Sequence, residues 1–291
     1  MSGPARWISV GELADAFEAD SHTPSPVPDL AGTTHVLGFE DGRTVAYRFG
    51  SDSRLTWEVT VAGRAAAAGE AIAAEGEAEY FALRPREGVY FVDYLAGEKP
   101  PTAVSLLLDM EQGIATSLVA RLPQSADVGE SLAARAAHGD ELTAVSVEFL
   151  SAAIGSAFGA GTPRHLPTSD LVGRRVEYTY SATERYEHIY LNEHFYTWHC
   201  LSGSEKGLAD TDRCHYLKLG DDLYLFVWRE KIVPTLGAVV VDFQAMRTMG
   251  KIFGHAPVDR GRDDSSGVVD FPVGAQARLL NVTLREREMS T

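Results

Sequence analysis

The sequence predicts an all-β protein of two similar antiparallel barrels in tandem, and two observations favour this fold class. The first is side-chain alternation with a period of two, typical of strands that pack one face on a core. It recurs in short runs between residues 36 and 122 and again from residue 170 to about 284. The second is an internal repeat: a shift of 141 residues places Asp29–Gly32 on Asp170–Gly173 and Thr56-Trp57 on Thr197-Trp198. Closing each sheet into a small barrel would hide its edges.

Other stretches predict helix or irregular chain. Val10, Leu13 and Phe17 lie between acidic residues in a pattern that predicts a short amphipathic helix, which would act as a lid or brace. Alanine and glycine dominate the middle of the chain, which indicates a partly helical linker. The predicted boundaries are an N-terminal extension over 1–28, a first barrel over 29–122, a linker over 123–168, a second barrel over 169–284 and a charged tail over 285–291. If the barrels are separate domains, a fragment that begins at Ser169 should keep its strands.

The two copies differ at polar positions. Further along the repeat, Glu79-Tyr80 aligns with His215-Tyr216, Val89-Tyr90 with Leu223-Tyr224, and Asp109 with Asp242. The residues that change character from the second copy to the first are Tyr178 to Leu37, Tyr180 to Phe39, His199 to Glu58, and Glu230 to Ala96. Because hydroxyls and a carboxylate are lost together, we expect the second copy to carry the functional site. The first copy is either structural or holds a different ligand near Glu58 and Asp93.

Composition excludes several classes of function. The 291 residues carry a formal net charge of −15, without a dense lysine and arginine cluster, which disfavours nucleic acid as a partner. No segment resembles a secretory signal or a membrane span of about 20 apolar residues, so we expect a cytoplasmic protein that does not bind membranes. Cys200 and Cys214 are too few for a disulfide framework.

Two predicted strands combine aromatic and ionisable side chains on one face. Tyr178 and Tyr180 share a face, and their hydroxyls could together bind a carboxylate or phenolate oxygen. Tyr224, Phe226, Trp228 and Glu230 share a face of a later strand, and an apolar surface with a few polar groups is typical of a ligand cavity. Partial burial would raise the pKa of Glu230 and make it a general acid or base. His199 could supply a matching proton transfer or hold an anion.

Each of these residues also has a plain structural interpretation. Tyrosines on strands often serve packing alone, and Glu230 could form a surface ion pair with Arg229 or Lys231. The histidines and the two cysteines lack CxxC or HxxxH spacing, and neighbours such as His199 and Cys200 point to opposite faces of a strand. We therefore expect no metal site.

Several motifs in the second half carry a family resemblance. The stretches YSATERYEHIYLNEHFYTWHCL, EKGLADTDRCHYLKL, LYLFVWREKIVPTLG and GKIFG resemble the molybdenum cofactor biosynthesis protein F (MoaF) family. More distantly, Tyr178 with Tyr180, Tyr186–Tyr190 and Trp228–Glu230 resemble the strands of bacterial phenolic acid decarboxylases, single calycin barrels that need no cofactor. That resemblance implies a calycin-like or lipocalin-like fold for each barrel. It also implies a site of two tyrosines, an arginine and a glutamate, with His199 here in the place of the arginine.

Two functions follow as expectations. The leading one is a cofactor-independent acid–base enzyme, a lyase or isomerase, that acts on a small unsaturated or aromatic acid inside the second barrel. Its predicted catalytic residues are Glu230, His199, Tyr178 and Tyr180, and its predicted substrate-binding residues are Tyr190, Tyr224, Phe226, Trp228 and Arg213. The alternative is a non-catalytic binding or accessory protein in molybdopterin metabolism, for which Arg175, Arg213 and Arg229 would have to point into the barrel. A homodimer is compatible with either function.

Overall fold

The computed structural model describes residues 6–18, 21–61, 73–97, 101–123, 130–256 and 267–283. Within these residues it contains two short helices, α1 (Val10–Glu18) and α2 (Leu132–His138), and otherwise β-strands. The strands form two closed antiparallel barrels of eight strands each, which confirms the predicted all-β tandem arrangement. The amphipathic helix predicted over residues 10–19 is α1.

The first barrel is a simple meander in which each strand pairs with the next. Its strands are β1 (Thr34–Phe39), β2 (Thr44–Phe49), β3 (Arg54–Val61), β4 (Glu75–Arg86), β5 (Val89–Ala96), β6 (Thr102–Asp109), β7 (Ile114–Arg121) and β8 (Ser146–Ile154). Pairing of β1 with β8, with Leu37 opposite Ile154, closes it. Alternate side chains point inward, so its interior is apolar.

The closing strand β8 corrects the predicted domain boundary, because it comes from the stretch expected to be linker. Its sequence, SVEFLSAAI, has small residues where a strand signal would need bulky ones. Ala152 and Ala153 are nevertheless buried, and they pair with β1 on one side and β7 on the other. The first barrel therefore extends well beyond residue 122, and α2 lies in the loop that leads to β8.

The second barrel repeats this meander. Its strands are β10 (Arg174–Thr179), β11 (Arg185–Tyr190), β12 (Phe195–Ser202), β13 (Ala209–Gly220), β14 (Leu223–Glu230), β15 (Thr235–Asp242), β16 (Arg247–His255) and β17 (Val268–Val282). Pairing of β10 with both β11 and β17 closes the sheet, and β17 is the counterpart of β8. A two-residue strand, β9 (Leu166–Pro167), pairs with the far end of β13.

Strand register corrects one part of the internal repeat. Tyr80 lies opposite Tyr94 in the first barrel, and Cys214 lies opposite Trp228 in the second. Tyr94 and Trp228 occupy the same position, two residues before the end of their strands. Tyr80 is therefore equivalent to Cys214 and not to Tyr216. The equivalence of Ala96 and Glu230 stands, because each is the last residue of its strand, β5 or β14.

The barrels pack side by side through their outer faces. An apolar cluster joins outward-facing residues of the first barrel, such as Leu107 and Leu118, to outward-facing residues of β13–β16, such as Leu225 and Leu236. At the edge of this interface the Arg86 guanidinium contacts the Asp242 carboxylate at 2.7 Å.

A buried ion cluster lies in the same interface. Lys251 Nζ is 2.7 Å from Asp93 Oδ1 and 3.5 Å from Asp270 Oδ2, and its side chain has no solvent exposure. Ser105 Oγ donates to Asp93 Oδ1 at 2.6 Å. Burial raises the pKa of Asp270 well above its usual range, which favours the protonated form of this second carboxyl. Burial alone would lower the pKa of Lys251, but Asp270 and Asp93 outweigh it and the pKa is raised.

The interface predicts the behaviour of a truncated chain. A fragment that begins at Ser169 would expose Leu223, Leu225 and Leu236 on its outer face and would lack α1, so we expect it to aggregate. Co-expression with a fragment of residues 1–168 should restore solubility, because the partner covers the apolar face. Size-exclusion chromatography and far-ultraviolet circular dichroism measure both outcomes, and a soluble, β-structured monomer of the fragment alone would contradict the expectation.

Candidate functional site

The interior of the second barrel is filled with aromatic side chains from alternate strand positions. In its middle, Tyr178 Oη and Tyr190 Oη lie 2.7 Å apart and share a hydrogen bond. The His188 imidazole packs between them and Trp228, and its Nδ1 has no hydrogen-bond partner within the described part of the chain. Burial lowers the pKa of His188 to about 3, so the ring is neutral at physiological pH.

A cavity of about 40 Å³ remains at one end of this interior. Its barrel wall is aromatic and contains two carboxyl groups. The barrel residues that line it are Tyr180, Tyr186, His188, Tyr196, Trp198, Glu205, Trp228, Glu230, Val233, Thr235 and Ile252. The N-terminal segment closes its mouth with Ile8, Ser9, Val10, Leu13 and Phe17. The predicted lid or brace therefore covers the second barrel, although it precedes the first in sequence.

Glu230 ends β14 and lies in the wall of this cavity. Trp228 Nε1 donates to Glu230 Oε1 at 3.0 Å, a contact between residues on the same strand face. Burial raises the pKa of Glu230 well above its usual range, and the negative charges of Asp212 and Glu205 raise it further. A protonated carboxyl at the wall of an enclosed site can act as a general acid.

The surface ion pair considered for Glu230 is not present. Arg229 Nη2 pairs with Glu141 Oε2 at 2.7 Å on the outer face. Lys231 Nζ binds Asp210 Oδ1 at 2.5 Å and Asp212 Oδ1 at 3.3 Å. Both flanking cations are therefore engaged with other carboxylates.

Two further carboxyl groups accept hydrogen bonds from aromatic side chains beside the cavity. Tyr186 Oη donates to Glu205 Oε2 at 3.1 Å, and Trp198 Nε1 donates to Asp212 Oδ2 at 3.0 Å. Burial is the main cause that raises the pKa of each carboxyl. The described residues that line the cavity include no lysine or arginine, so the charge of this lining is neutral or negative.

The structure brings only some of the predicted site residues together. Tyr180 and Trp228 line the cavity with Glu230. Tyr178, Tyr190 and Phe226 lie deeper, packed against each other and against His188. Tyr224 is at the opposite end of the barrel, where its hydroxyl donates to Asp170 Oδ2 at 3.3 Å.

The placement of His199 and Arg213 in the site is wrong. Trp198 and Cys200 face inward, so His199 between them points outward, half-exposed, with Nδ1 3.7 Å from Glu187 Oε2. Arg213 lies between two inward residues of β13 and binds Glu141 Oε1 at 2.7 Å on the outer face. Alternation along a strand is the physical reason in both cases.

The three arginines that an anionic pterin would require also point outward. Arg175 pairs with Glu187 on the outer surface, and Arg213 and Arg229 both pair with Glu141. In the first barrel, Glu58 likewise faces outward and pairs with Arg48 at 3.0 Å. No residue of the described cavity wall therefore supplies a positive charge for an anionic ligand.

Sequence reasoning missed several residues of the cavity. Tyr196 and Trp198 alternate in FYTWHC, so the same period-two pattern that indicated Tyr180 could have found them. Glu205 lies in the loop after β12, where no periodicity applies. Val10 and Phe17 were recognised as an apolar helix face, but the sequence did not show which barrel they cover.

The fold and the cavity define a tandem-barrel protein with a small, carboxyl-lined cavity in its second barrel. The MoaF N-terminal domain model matches residues 5–124, and the MoaF C-terminal domain model matches residues 165–283. Protein MoaF of Klebsiella aerogenes is 41% identical over 97% of this chain and 98% of its own length. The chain belongs to the MoaF family.

Structural comparison adds a weaker likeness. The crystal structure of a protein provisionally assigned as a beta-lactamase from Burkholderia vietnamiensis matches 40% of this chain and all of its own, with 14% identity and a TM-score of 0.31. Among the described residues, no helix is long and apolar enough to cross a membrane.

Proposed function

We propose that the second barrel binds an uncharged conjugated or aromatic small molecule and that Glu230 exchanges a proton with it. The observation that supports this proposal is the Glu230 carboxyl, held by Trp228 Nε1 in the wall of an enclosed aromatic cavity. Its raised pKa favours the protonated form, which can donate a hydrogen bond or a proton. This is cofactor-independent acid–base chemistry of the lyase or isomerase kind.

The electrostatics of the cavity change the expected ligand from an acid anion to a neutral molecule. Glu205 and Glu230 both line the cavity, His188 is neutral, and the predicted anion-binding residues point outward. An anion placed there would lose hydration without gaining a counter-charge. A neutral ligand with a hydrogen-bond donor or a basic oxygen would instead pair with the carboxyl groups.

A second candidate is a non-catalytic binding or accessory role, in molybdenum cofactor metabolism as the family name implies. The packing of Tyr178 and Tyr190 on each other favours it, because those hydroxyls satisfy one another and do not face the cavity. A phosphorylated pterin fits this cavity poorly for the electrostatic reason given above.

A matched pair of probes tests the preference for a neutral ligand. We expect 4-hydroxycinnamic acid methyl ester to bind at least about tenfold more tightly at pH 7 than the free acid, which is about 1.4 kcal/mol. Quenching of tryptophan fluorescence measures binding, since Trp198 and Trp228 line the cavity. Tighter binding of the free acid would contradict the neutral-ligand proposal.

Catalysis is tested by Glu230→Gln, with Glu58→Gln as the matched control on the outer face of the first barrel. The glutamine keeps an acceptor for Trp228 Nε1 but cannot transfer a proton. Conversion of the ester, or of a compound that copurifies with the protein, should fall about 10²- to 10⁴-fold in Glu230→Gln while affinity changes little. Unchanged conversion would exclude Glu230 as the acid, and binding without conversion in the natural protein would favour the accessory role.

A further inference from the structure

The N-terminal segment occupies the mouth of the cavity with aromatic and aliphatic side chains. Trp7 packs edge-to-face on Trp198 with ring centroids 5.5 Å apart, and Phe17 stacks on Tyr180 at 4.6 Å. The backbone N–H of Ile8 donates to the Glu205 carboxyl. These contacts involve cavity residues that a ligand would also need.

The space that remains is too small for the ligand class proposed above. A cavity of about 40 Å³ can hold only a few water molecules, since one water molecule needs at least about 10–15 Å³. Sites for organic ligands are typically about 300–1,000 Å³. An aromatic ligand and the side chains of Val10, Leu13 and Phe17 therefore cannot occupy the mouth together.

The segment has the properties of a detachable element. Helix α1 has nine residues, fewer than the roughly 12–15 that an isolated helix needs for marginal stability in water. Its first turn is locally capped: Glu12 N–H donates to Ser9 Oγ at 3.2 Å, and Ser9 N–H donates to Glu12 Oε2 at 2.9 Å. The remaining stability comes from the face that packs on the barrel.

Two glycines of the barrel provide room for this segment. A Cβ atom at Gly254 of β16 would overlap the Val10 side chain, and a Cβ atom at Gly274 of β17 would contact Thr23 and Pro24. Beyond the helix, His22 N–H donates to the Tyr180 carbonyl at 2.8 Å. The chain is thus attached at residues 22–24 and enters the mouth through residues 7–17.

We propose that residues 6–18 form an intramolecular plug that competes with the ligand for the mouth of the second barrel. This inference rests on the proposed function, because it takes the cavity as the ligand site. The plugged state lowers the apparent affinity by the fraction of molecules that are open. Binding would therefore require displacement of Phe17 from Tyr180 and of Trp7 from Trp198, and would release the helix from the barrel.

Gly254→Ala tests the plug from the barrel side, and Phe17→Ala tests it from the helix side. Either change should accelerate amide hydrogen exchange of residues 10–18 at least about tenfold while the amides of β14 and β15 keep their protection. Asp15→Ala is the matched control on the same helix, since Asp15 is exposed and its replacement should leave exchange at the natural rate.

Ligand access gives the second measurement. The methyl ester of 4-hydroxycinnamic acid should bind about tenfold more tightly to Gly254→Ala and Phe17→Ala than to the natural protein, and Asp15→Ala should bind it with the natural affinity. Exchange of residues 10–18 only through global unfolding, in all variants, would overturn the plug. Faster exchange without any ester binding would show that the segment detaches from the mouth and that the proposed ligand class is wrong. The two proposals can therefore fail independently of each other.

Discussion

Replacement of Lys251 by methionine is expected to lower the free energy of unfolding by about 3–5 kcal/mol, because it leaves a buried carboxylate without a counter-charge. Lys251 has no solvent exposure, and its ammonium lies 2.7 Å from Asp93 Oδ1. Asp93 Oδ2 and Asp270 Oδ1 have no hydrogen-bond partner among the described residues, so no other group can take over this role. Urea denaturation followed by fluorescence measures the loss.

Two controls separate charge from packing at this cluster. Adding Asp93→Asn and Asp270→Asn to Lys251→Met should recover most of the loss, since replacement of a complete buried ion cluster is often close to neutral. Lys218→Met, which removes a half-exposed ion pair with Asp170, should leave the free energy of unfolding nearly unchanged. Equal losses for Lys251→Met and Lys218→Met would show that the buried cluster does not stabilise the contact between the barrels.

Glu230→Gln is expected to stabilise the protein increasingly as the pH rises. The folded-state pKa of Glu230 is raised above its ordinary value of 4.5, so the fold prefers the protonated group. Its contribution is fully present below the unfolded-state pKa and is lost as the pH rises through the folded-state pKa. The variant keeps a neutral side chain at every pH. The difference in the free energy of unfolding between the variant and the natural protein should therefore grow by about 1.4 kcal/mol per pH unit above roughly pH 4.5, until the folded-state pKa is reached.

Denaturation from pH 4 to pH 8 measures this difference between the natural protein and the variant. Glu58→Gln is the reference, because the Glu58 side chain is half-exposed and forms a surface ion pair with Arg48. It should change the free energy of unfolding by less than about 1 kcal/mol. A constant difference between Glu230→Gln and the natural protein across this range would show that Glu230 is ionised in the fold.

Much of the second barrel could be predicted because strand alternation is a local property of the backbone. Period two puts Tyr180 on the same strand face as Tyr178, and Glu230 on the same face as Trp228. The structure brings Tyr180, Trp228 and Glu230 into one cavity. The same rule, applied to the inward positions of Trp198 and Cys200, would have excluded His199. Its inclusion came from a family resemblance at that position, which carries no information about the direction of a side chain.

Strand β8 shows where local patterns fail. Ser151 to Ala153 are small residues with weak strand preference, and only their pairing with β1 and β7 makes this segment a strand. The internal repeat carries the missing signal. The sequence pattern predicts seven strands in the first copy, so the eighth strand of the second copy, β17, would have no counterpart there.

The sequence by itself determined the all-β class, the duplication, the amphipathic helix and the inward aromatic faces of the second barrel, because each follows from periodicity or composition within a short stretch of chain. Only the tertiary structure decided that the helix at residues 10–18 closes the second barrel, that Glu205 joins Glu230, and that Lys251 lies between Asp93 and Asp270. These arrangements depend on barrel closure and on the contact between outer faces, which bring together residues far apart in the chain.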